Sequence, residues 1–156
     1  MTRLALLVAI DLVVVIALSV LVGAWAPRWP DRWLSSDPLL LHRWQWESPA
    51  FYRRLRVTSW ARHLPELGTI FGGESKAVLP GTDRDALERY LIEARRAEWV
   101  HWGSILGSLC LFLFNPWWLA LAFVAVVTVG NMPFLIIVRN NRLRIQQIFD
   151  RESRRA

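Results

Sequence analysis

Apolar residues are concentrated in three stretches of the chain. Residues 4–26 carry a single charge, Asp11, and residues 99–114 and 117–138 form two further runs that are mainly apolar. A helix rises about 1.5 Å per residue, so about 20 apolar residues cross a hydrocarbon core of roughly 30 Å. The pattern predicts an all-α integral membrane protein with three transmembrane helices.

The first run also has features of a signal peptide. Its last three residues, Ala24 to Ala26, have the small-x-small form of a cleavage site. The apolar core of a signal peptide spans roughly 7 to 15 residues, which is shorter than this run, and Pro27 would directly follow the cut. We therefore predict that residues 4–26 are retained as the first transmembrane helix, with cleavage as the alternative.

The second run is short for a membrane crossing, so its helix is expected to begin in the polar stretch before it. Thr82 and Asp85 have the spacing of a capping box, and Asp83 adds a second acidic residue near the positive end of the helix dipole. A proline two residues after the run stops the helix, because proline lacks an N–H donor. We predict one helix over residues 83–114 and an antiparallel hairpin with the third helix, residues 117–138.

The rest of the chain is polar or mixed. Residues 27–82 place Trp beside Arg, a mixture typical of an interfacial segment at the headgroup level of a membrane, and residues 139–156 form a basic tail. The chain has ten Trp, 54% hydrophobic residues and a formal net charge of +6. An ordinary soluble domain is therefore disfavoured, and a phosphate-bearing partner such as a lipid headgroup or a cofactor is favoured.

Basic residues also predict the orientation. Only one of the 19 Lys and Arg residues, Arg3, precedes the first run, and the others fall in residues 27–98 and 139–156. With three crossings these two regions share one side of the membrane, which the positive-inside rule assigns to the cytoplasm. We therefore expect a multi-pass protein of the cell membrane with an external N-terminus and a cytoplasmic C-terminus.

Composition excludes several classes of site. The single cysteine, Cys110, rules out a disulfide within the chain and a cysteine-based metal cluster. No glycine-rich phosphate-binding motif occurs, and we expect neither a metal nor a bound cofactor. The arginines flank apolar runs instead of forming a soluble basic face, so a nucleic-acid partner is not expected.

Ionisable side chains next to a membrane span are costly, which makes them candidates for function. Glu98 and His101 lie one helical turn apart, where a carboxylate can orient an imidazole that acts as the base in acyl transfer to a hydroxyl. The alternative is an ion pair at the helix end. The predicted hairpin brings Asn131 and Arg139 to the same layer of the inner leaflet, where either could donate hydrogen bonds to the oxyanion of the reaction.

Two further charged features have simpler interpretations. Asp11 lies near the outer end of the first helix, away from the His101 layer, so we expect a structural hydrogen bond or protonation there. Arg139 and Arg142 follow the third helix at the inner interface. Their guanidinium groups suit the phosphates of an acyl donor or of lipid headgroups.

Three blocks of the sequence resemble the glycosyl-4,4'-diaponeurosporenoate acyltransferase family. The first is W-A-R-H-L-P-E-L-G followed by F-G-G-E-S-K, within residues 60–76, and the second is R-A-E-x-x-H-W, residues 96–102. The third is N-x-P followed by R-N-N-R-L-R, within residues 131–144. The family form of its second part is R-Y-N-R-P-R, so Asn140 and Leu143 depart from it.

The resemblance implies a membrane O-acyltransferase that esterifies a sugar hydroxyl of a glycosylated carotenoid or glycolipid with a fatty acyl chain from a thioester such as acyl-CoA. Its partners are then the lipid bilayer, the acceptor and the acyl donor. It supports catalytic roles for His101 and Glu98. Substrate-binding roles are implied for Arg96, Trp102, Asn131, Arg139, Asn141 and Arg142. A second hypothesis is a non-catalytic membrane subunit that binds a pigment or a partner protein through its Trp-rich face.

Overall fold

The computed structural model describes residues 2–38, 40–64 and 83–154, and within them the chain forms helices and no strands. The all-α prediction is confirmed for these residues. The α-helices are α1 Arg3–Trp25, α2 Pro49–Arg54, α3 Val57–Trp60, α4 Arg84–Ser108 and α5 Trp117–Ser153. Short 3₁₀ turns lie between them at Ala26–Arg28, Asp31–Trp33, Ala61–His63 and Leu109–Leu113.

Two helices are long and apolar enough to cross a membrane. They are α1 with its 3₁₀ extension, Arg3–Arg28, and α5. On α1 the side chains of Val13 and Leu21 are 66% and 65% exposed, and apolar residues cover the whole circumference of the helix. An all-round apolar surface is typical of a membrane segment or of a buried core helix. The two helices are therefore compatible with a membrane protein.

The predicted count of three transmembrane helices is wrong, because the second apolar run does not form a spanning helix of its own. Its first part completes α4, whose N-terminal half is rich in charged residues, and its last part winds into the 3₁₀ turn Leu109–Leu113. Regular α-helix therefore ends before an apolar stretch of spanning length has accumulated. Leu113 is nevertheless 86% exposed, so this end of the hairpin adds to the apolar surface of α1 and α5.

α4 begins one residue after the expected position. The carboxylate of Asp83 accepts a hydrogen bond from the backbone N–H of Ala86 over 3.1 Å, which satisfies a donor of the first turn. Thr82, the other expected cap, lies outside the described residues. So do residues 65–76 of the first resemblance block.

α5 continues as one helix through Pro133, well past the predicted end at residue 138. The residues expected to form a basic tail belong to this helix. Val138 and Ile145 continue its buried face and pack against Leu87 of α4. The mean hydropathy falls after residue 138, but apolar residues still recur at helical spacing, and that periodicity maintains the helix.

α1 packs closely against α4 in the antiparallel direction. A side-chain carbon at Gly103 would lie 3.1 Å from Cγ1 of Val22, so glycine permits this close approach. At the other end, Nδ2 of Asn115 donates to Oδ1 of the buried Asp11 over 2.8 Å. This bond is the structural hydrogen bond expected of Asp11.

Candidate active site

His101 of α4 lies against Asn131 and Phe134 of α5. Oδ1 of Asn131 is 2.8 Å from Nδ1 of His101, and the imidazole stacks on the ring of Phe134 with 5.2 Å between centroids and 12° between planes. Asn131 and Phe134 reach His101 together because residues three apart lie on the same side of a helix. One face of α5 therefore fixes both an edge and a face of the imidazole.

The hydrogen bonds of Asn131 determine the tautomer of His101. Nδ2 of Asn131 donates to the backbone carbonyl of Val127 over 2.8 Å, and a carbonyl oxygen can only accept. The amide oxygen is therefore the atom that faces His101, where it accepts from an N–H at Nδ1. In a neutral imidazole with the proton on Nδ1, Nε2 is the nitrogen that can take a proton from a substrate.

Glu98 lies one turn before His101 on α4 and is completely buried. Its Oε2 accepts a hydrogen bond from Nη1 of Arg142, and its Oε1 is 3.0 Å from Nη1 of Arg139. Burial raises the pKa of Glu98 above its ordinary value, and the two guanidinium groups oppose this shift. The carboxylate thus belongs to a buried ion cluster that joins α4 to α5.

The structure brings Glu98 and His101 to different partners on α5. Asn131 contacts Nδ1 of His101 and so takes the orienting role that the helical spacing predicted for Glu98, while arginines engage the carboxylate of Glu98. Spacing along α4 shows which residues share a face. It does not show which residue of α5 each one meets, because that depends on the register of the hairpin.

Arg139 also contacts the segment between α1 and α2, and we call the described residues between 29 and 47 the strap. Nη2 of Arg139 is 2.9 Å from the carboxylate of Glu47. Its two Nη atoms donate to the backbone carbonyls of Leu40, over 3.2 Å, and of His42, over 2.5 Å. The donors of Arg139 are therefore engaged within the chain, on the strap and on the ion cluster.

Three more arginines hold the strap through acidic residues. Arg142 and Arg95 each lie 2.6 Å from Oδ1 of Asp37, and Arg96 lies 2.8 Å from Oδ1 of Asp31. The strap is thereby attached to both helices of the hairpin. No sequence pattern pointed to these acidic partners, because they lie far from the arginines along the chain. The one feature of the sequence that could have pointed to them is the presence of acidic residues in an otherwise Trp- and Arg-rich segment.

The two remaining predicted site residues lie on either side of these clusters. Trp102 packs in an apolar cluster with Ile105 and Val127, and its buried indole N–H has no acceptor among the described residues. Asn141 is buried, and its Nδ2 donates to the hydroxyl of Tyr90 over 3.0 Å. Trp102 follows His101 on α4 and belongs to an apolar contact with Val15 of α1 and Val127 of α5, whereas Asn141 belongs to the contact between α4 and α5.

The described part of the chain contains no group of three or more His, Cys, Asp or Glu side chains that could hold a metal ion. The chemistry available at the hairpin is therefore that of an imidazole, an amide, an indole N–H and a set of buried ion pairs. An oriented imidazole is suited to proton transfer, and an N–H donor that is not engaged within the described residues is suited to stabilising a developing negative charge on oxygen.

Comparison with known proteins identifies a family and several relatives. The family model described as glycosyl-4,4'-diaponeurosporenoate acyltransferase matches residues 30–151. A protein of that name from Staphylococcus haemolyticus is 26% identical over 115 residues, covering 72% of this chain and 67% of the relative. Namesakes from Staphylococcus aureus strains USA300 and NCTC 8325 are 34% identical over 72 residues, covering 46% of this chain and 43% of each relative. No solved structure matches the chain.

Proposed function

Because the chain belongs to the glycosyl-4,4'-diaponeurosporenoate acyltransferase family, we propose that it transfers a fatty acyl chain to a sugar hydroxyl of a glycosylated carotenoid or a related glycolipid. The match over residues 30–151 confirms the family resemblance that the sequence blocks predicted. The acyl donor in this proposal is a thioester such as acyl-CoA. The acceptor is a membrane lipid whose sugar reaches the protein at the headgroup level.

The pair of His101 and Asn131 is the observation that supports this function most directly. A sugar hydroxyl is a poor nucleophile until a base removes its proton, and imidazole, with an unperturbed pKa of about 6.5, suits this task near neutral pH. Asn131 accepts from Nδ1 and leaves Nε2 as the basic nitrogen. An amide that orients a histidine also occurs in Cys-His-Asn hydrolases, where it fixes the imidazole in the same way.

In the proposed reaction, Nε2 of His101 takes the proton of the sugar hydroxyl while the hydroxyl oxygen attacks the thioester carbonyl carbon. The tetrahedral intermediate then breaks its C–S bond, and His101 returns the proton to the leaving sulfur. The products are an ester on the sugar and a free thiol. His101 is therefore regenerated in each cycle, and no further reactant is required.

We assign the indole N–H of Trp102 to the oxyanion of this intermediate. Trp102 follows His101 on α4, and its indole N–H has no acceptor among the described residues. Asn131 and Arg139, which the sequence suggested for this role, already donate within the chain: Asn131 to Val127 and Arg139 to the strap. A donor that already has an internal acceptor would have to break that bond before it could stabilise the oxyanion.

Glu98 has a positioning role in this proposal. Its carboxylate holds Arg139 and Arg142, which in turn hold the strap against the hairpin. Arg96 and Asn141 act similarly, through Asp31 of the strap and through Tyr90 of α4. Direct contact of these residues with substrate stays a prediction.

We place the protein in the cell membrane, with the N-terminus outside and both the strap and the C-terminal end of α5 in the cytoplasm. α1 and α5 are long and apolar enough to cross the bilayer. In this proposal the C-terminal part of α4 and the 3₁₀ turn Leu109–Leu113, which run antiparallel beside α1, return the chain across the bilayer to the start of α5, so that the strap and the end of α5 share one side. Trp33, Trp44 and Trp46 of the strap are exposed among arginines, as is typical of the headgroup region. In this arrangement a donor from the cytoplasm meets an acceptor whose apolar part remains in lipid.

The decisive experiment replaces His101 by Ala and measures transfer of a labelled acyl group from acyl-CoA to a glycosylated carotenoid in proteoliposomes. We expect the rate to fall about a hundredfold or more, the usual scale for loss of a general base. The matched control is His63→Ala, which alters an exposed histidine in the turn after α3. Transfer at the parental rate by the His101 variant would mean that the base lies elsewhere, and it would favour the non-catalytic subunit hypothesis.

A further inference from the structure

A small cleft lies between the strap and the C-terminal half of α5. Three arginines line it, Arg43, Arg139 and Arg142, together with Glu47 and Gln146. The cleft is distinct from the His101 pair. Its residues on α5 lie roughly 12 to 22 Å further along the helix than Asn131, at about 1.5 Å per residue.

The charges around this cleft do not cancel. Three guanidinium groups are matched by three carboxylates: those of Arg95, Arg139 and Arg142 by those of Asp37, Glu47 and Glu98. Arg43 adds a fourth guanidinium, which is exposed and forms no ion pair within the described residues. The excess positive charge is therefore located on Arg43, where solvent can reach the cleft.

Arg142 supplies an independent observation. The residue is only 4% exposed, and its buried Nε–H has no acceptor in the part of the chain that the structure describes. Buried N–H groups in proteins nearly always have an acceptor, so one that lacks it calls for an explanation. An oxygen atom bound in the cleft would complete the hydrogen bonding of Arg142, and the half-buried amide of Gln146 could bind the same group.

Among the described residues that line the cleft, Glu47 is the one carboxylate, and its charge is compensated. Arg139 contacts it at 2.9 Å, and the hydroxyl of Tyr52 donates to it over 3.3 Å. Burial, the carboxylate of Glu47 and its hydrogen bond together raise the pKa of Tyr52 above its ordinary value, so this hydroxyl keeps its proton and remains a donor. Glu47 therefore does not cancel the excess charge of Arg43.

We propose that the cleft binds a phosphate group, with Arg43 as its principal ligand and Arg142 and Gln146 as additional donors. The guanidinium fork matches phosphate oxygens, and the excess charge attracts an anion. The inference rests on the proposed function, because the phosphates of a phosphopantetheine thioester are separated from the acyl carbon by a long arm. The cleft and His101 are likewise separated along α5. A phospholipid headgroup would present the same chemistry from the bilayer.

A binding measurement tests the proposal without using activity. The full chain in detergent is titrated by calorimetry with coenzyme A and with pantetheine, which lacks phosphate. Arg43→Gln should weaken coenzyme A binding about tenfold or more, the scale for losing a charge-assisted hydrogen bond, and should leave pantetheine binding unchanged. Arg54→Gln is the matched control, because Arg54 is an exposed arginine of α2 away from the cleft.

A second titration identifies the source of the phosphate. Fluorescent phosphatidylglycerol in mixed micelles is compared with diacylglycerol, which has no phosphate. If Arg43→Gln weakens only phosphatidylglycerol binding, the phosphate site stands and its ligand is a lipid headgroup. If it weakens neither coenzyme A nor phosphatidylglycerol, the proposal is overturned. Either result is readable even if the His101 experiment fails, because binding is measured directly.

Discussion

The two polar clusters of the α4–α5 hairpin differ in charge and in how they are held. Glu98, Arg139 and Arg142 are charged and mostly buried, and strap and helix groups contact them from several directions. His101 and Asn131 lie within the same hairpin, and α5 holds the imidazole at one nitrogen and one ring face. A matched ion cluster holds elements together, whereas an oriented imidazole can exchange a proton. Here the buried charges form the ion cluster that holds the strap against the hairpin. The oriented imidazole indicates the reactive site.

The largest effect that separates the two clusters is expected for Glu98→Ala. Removal of the carboxylate leaves two guanidinium groups in a buried position without their shared partner, which costs about 3 to 5 kcal/mol of the free energy of unfolding. Urea unfolding in detergent, followed by Trp fluorescence, measures this change. His101→Ala should change the same free energy far less. Equal unfolding curves for the parent and the Glu98 variant would show that the cluster does not stabilise the fold.

Trp102→Phe tests the reactive site at its proposed oxyanion donor. Phenylalanine keeps a ring in the apolar cluster of Ile105 and Val127 but has no N–H. Loss of one oxyanion donor typically lowers kcat about a hundredfold, and KM for the acceptor should change little. Steady-state kinetics in proteoliposomes give both constants. A parental kcat would assign the oxyanion to another donor and leave Trp102 a purely apolar role.

Asn131→Ala should have a smaller effect on the rate, because Asn131 is a positioning residue. The imidazole keeps its stacking on Phe134 but loses the acceptor that fixes its tautomer. We expect kcat to fall about tenfold, as for the loss of one strong hydrogen bond. The acid limb of the pH–rate profile should also move, which a merely structural residue would not cause. An unchanged profile with a lower kcat would contradict the orienting role.

Most of the fold and part of the site could be predicted from the sequence. The apolar runs indicated an all-helical chain, and the Asn-Pro pair indicated the hairpin, because these are properties of short stretches of sequence. The predicted number of transmembrane helices was wrong because the apolar residues after Ser108 form a 3₁₀ turn instead of continuing the α-helix. The site residues were identified by type, but their pairing depended on the register between α4 and α5. That register cannot be deduced from the spacing of residues within a single helix.

The strap shows a different limit of prediction. Its acidic residues, Asp31, Asp37 and Glu47, meet arginines that are far away in the chain. From charge composition alone, those arginines were interpreted as cytoplasmic anchors or phosphate ligands. The structure shows that most of them are matched internally, so that Arg43 remains the unmatched cation of the cleft within the described residues. Long-range pairing of this kind is a property of the folded chain.

The smallest effect on the free energy of unfolding is expected when the charge of Glu98 is removed and its shape is kept. Glu98→Gln keeps the side chain's size and an oxygen that can accept from Arg142, so its free energy of unfolding should lie closer to that of the parent than the free energy of Glu98→Ala does. The two proteins should differ in the pH dependence of their stability.

Burial raises the pKa of Glu98 in the folded chain, so the stability contributed by this carboxyl is fully present below its ordinary pKa of 4.5. That contribution is lost as the pH rises through the raised value. Glutamine does not titrate, so the stability of the parent relative to Glu98→Gln should decrease as the pH rises from below 4.5 through the raised pKa of Glu98. Urea unfolding of both proteins across this range measures the difference. A relative stability that increased with pH would mean that attraction to Arg139 and Arg142 outweighs the burial of the carboxylate, and the cluster would then stabilise the fold through its charge as well as its shape.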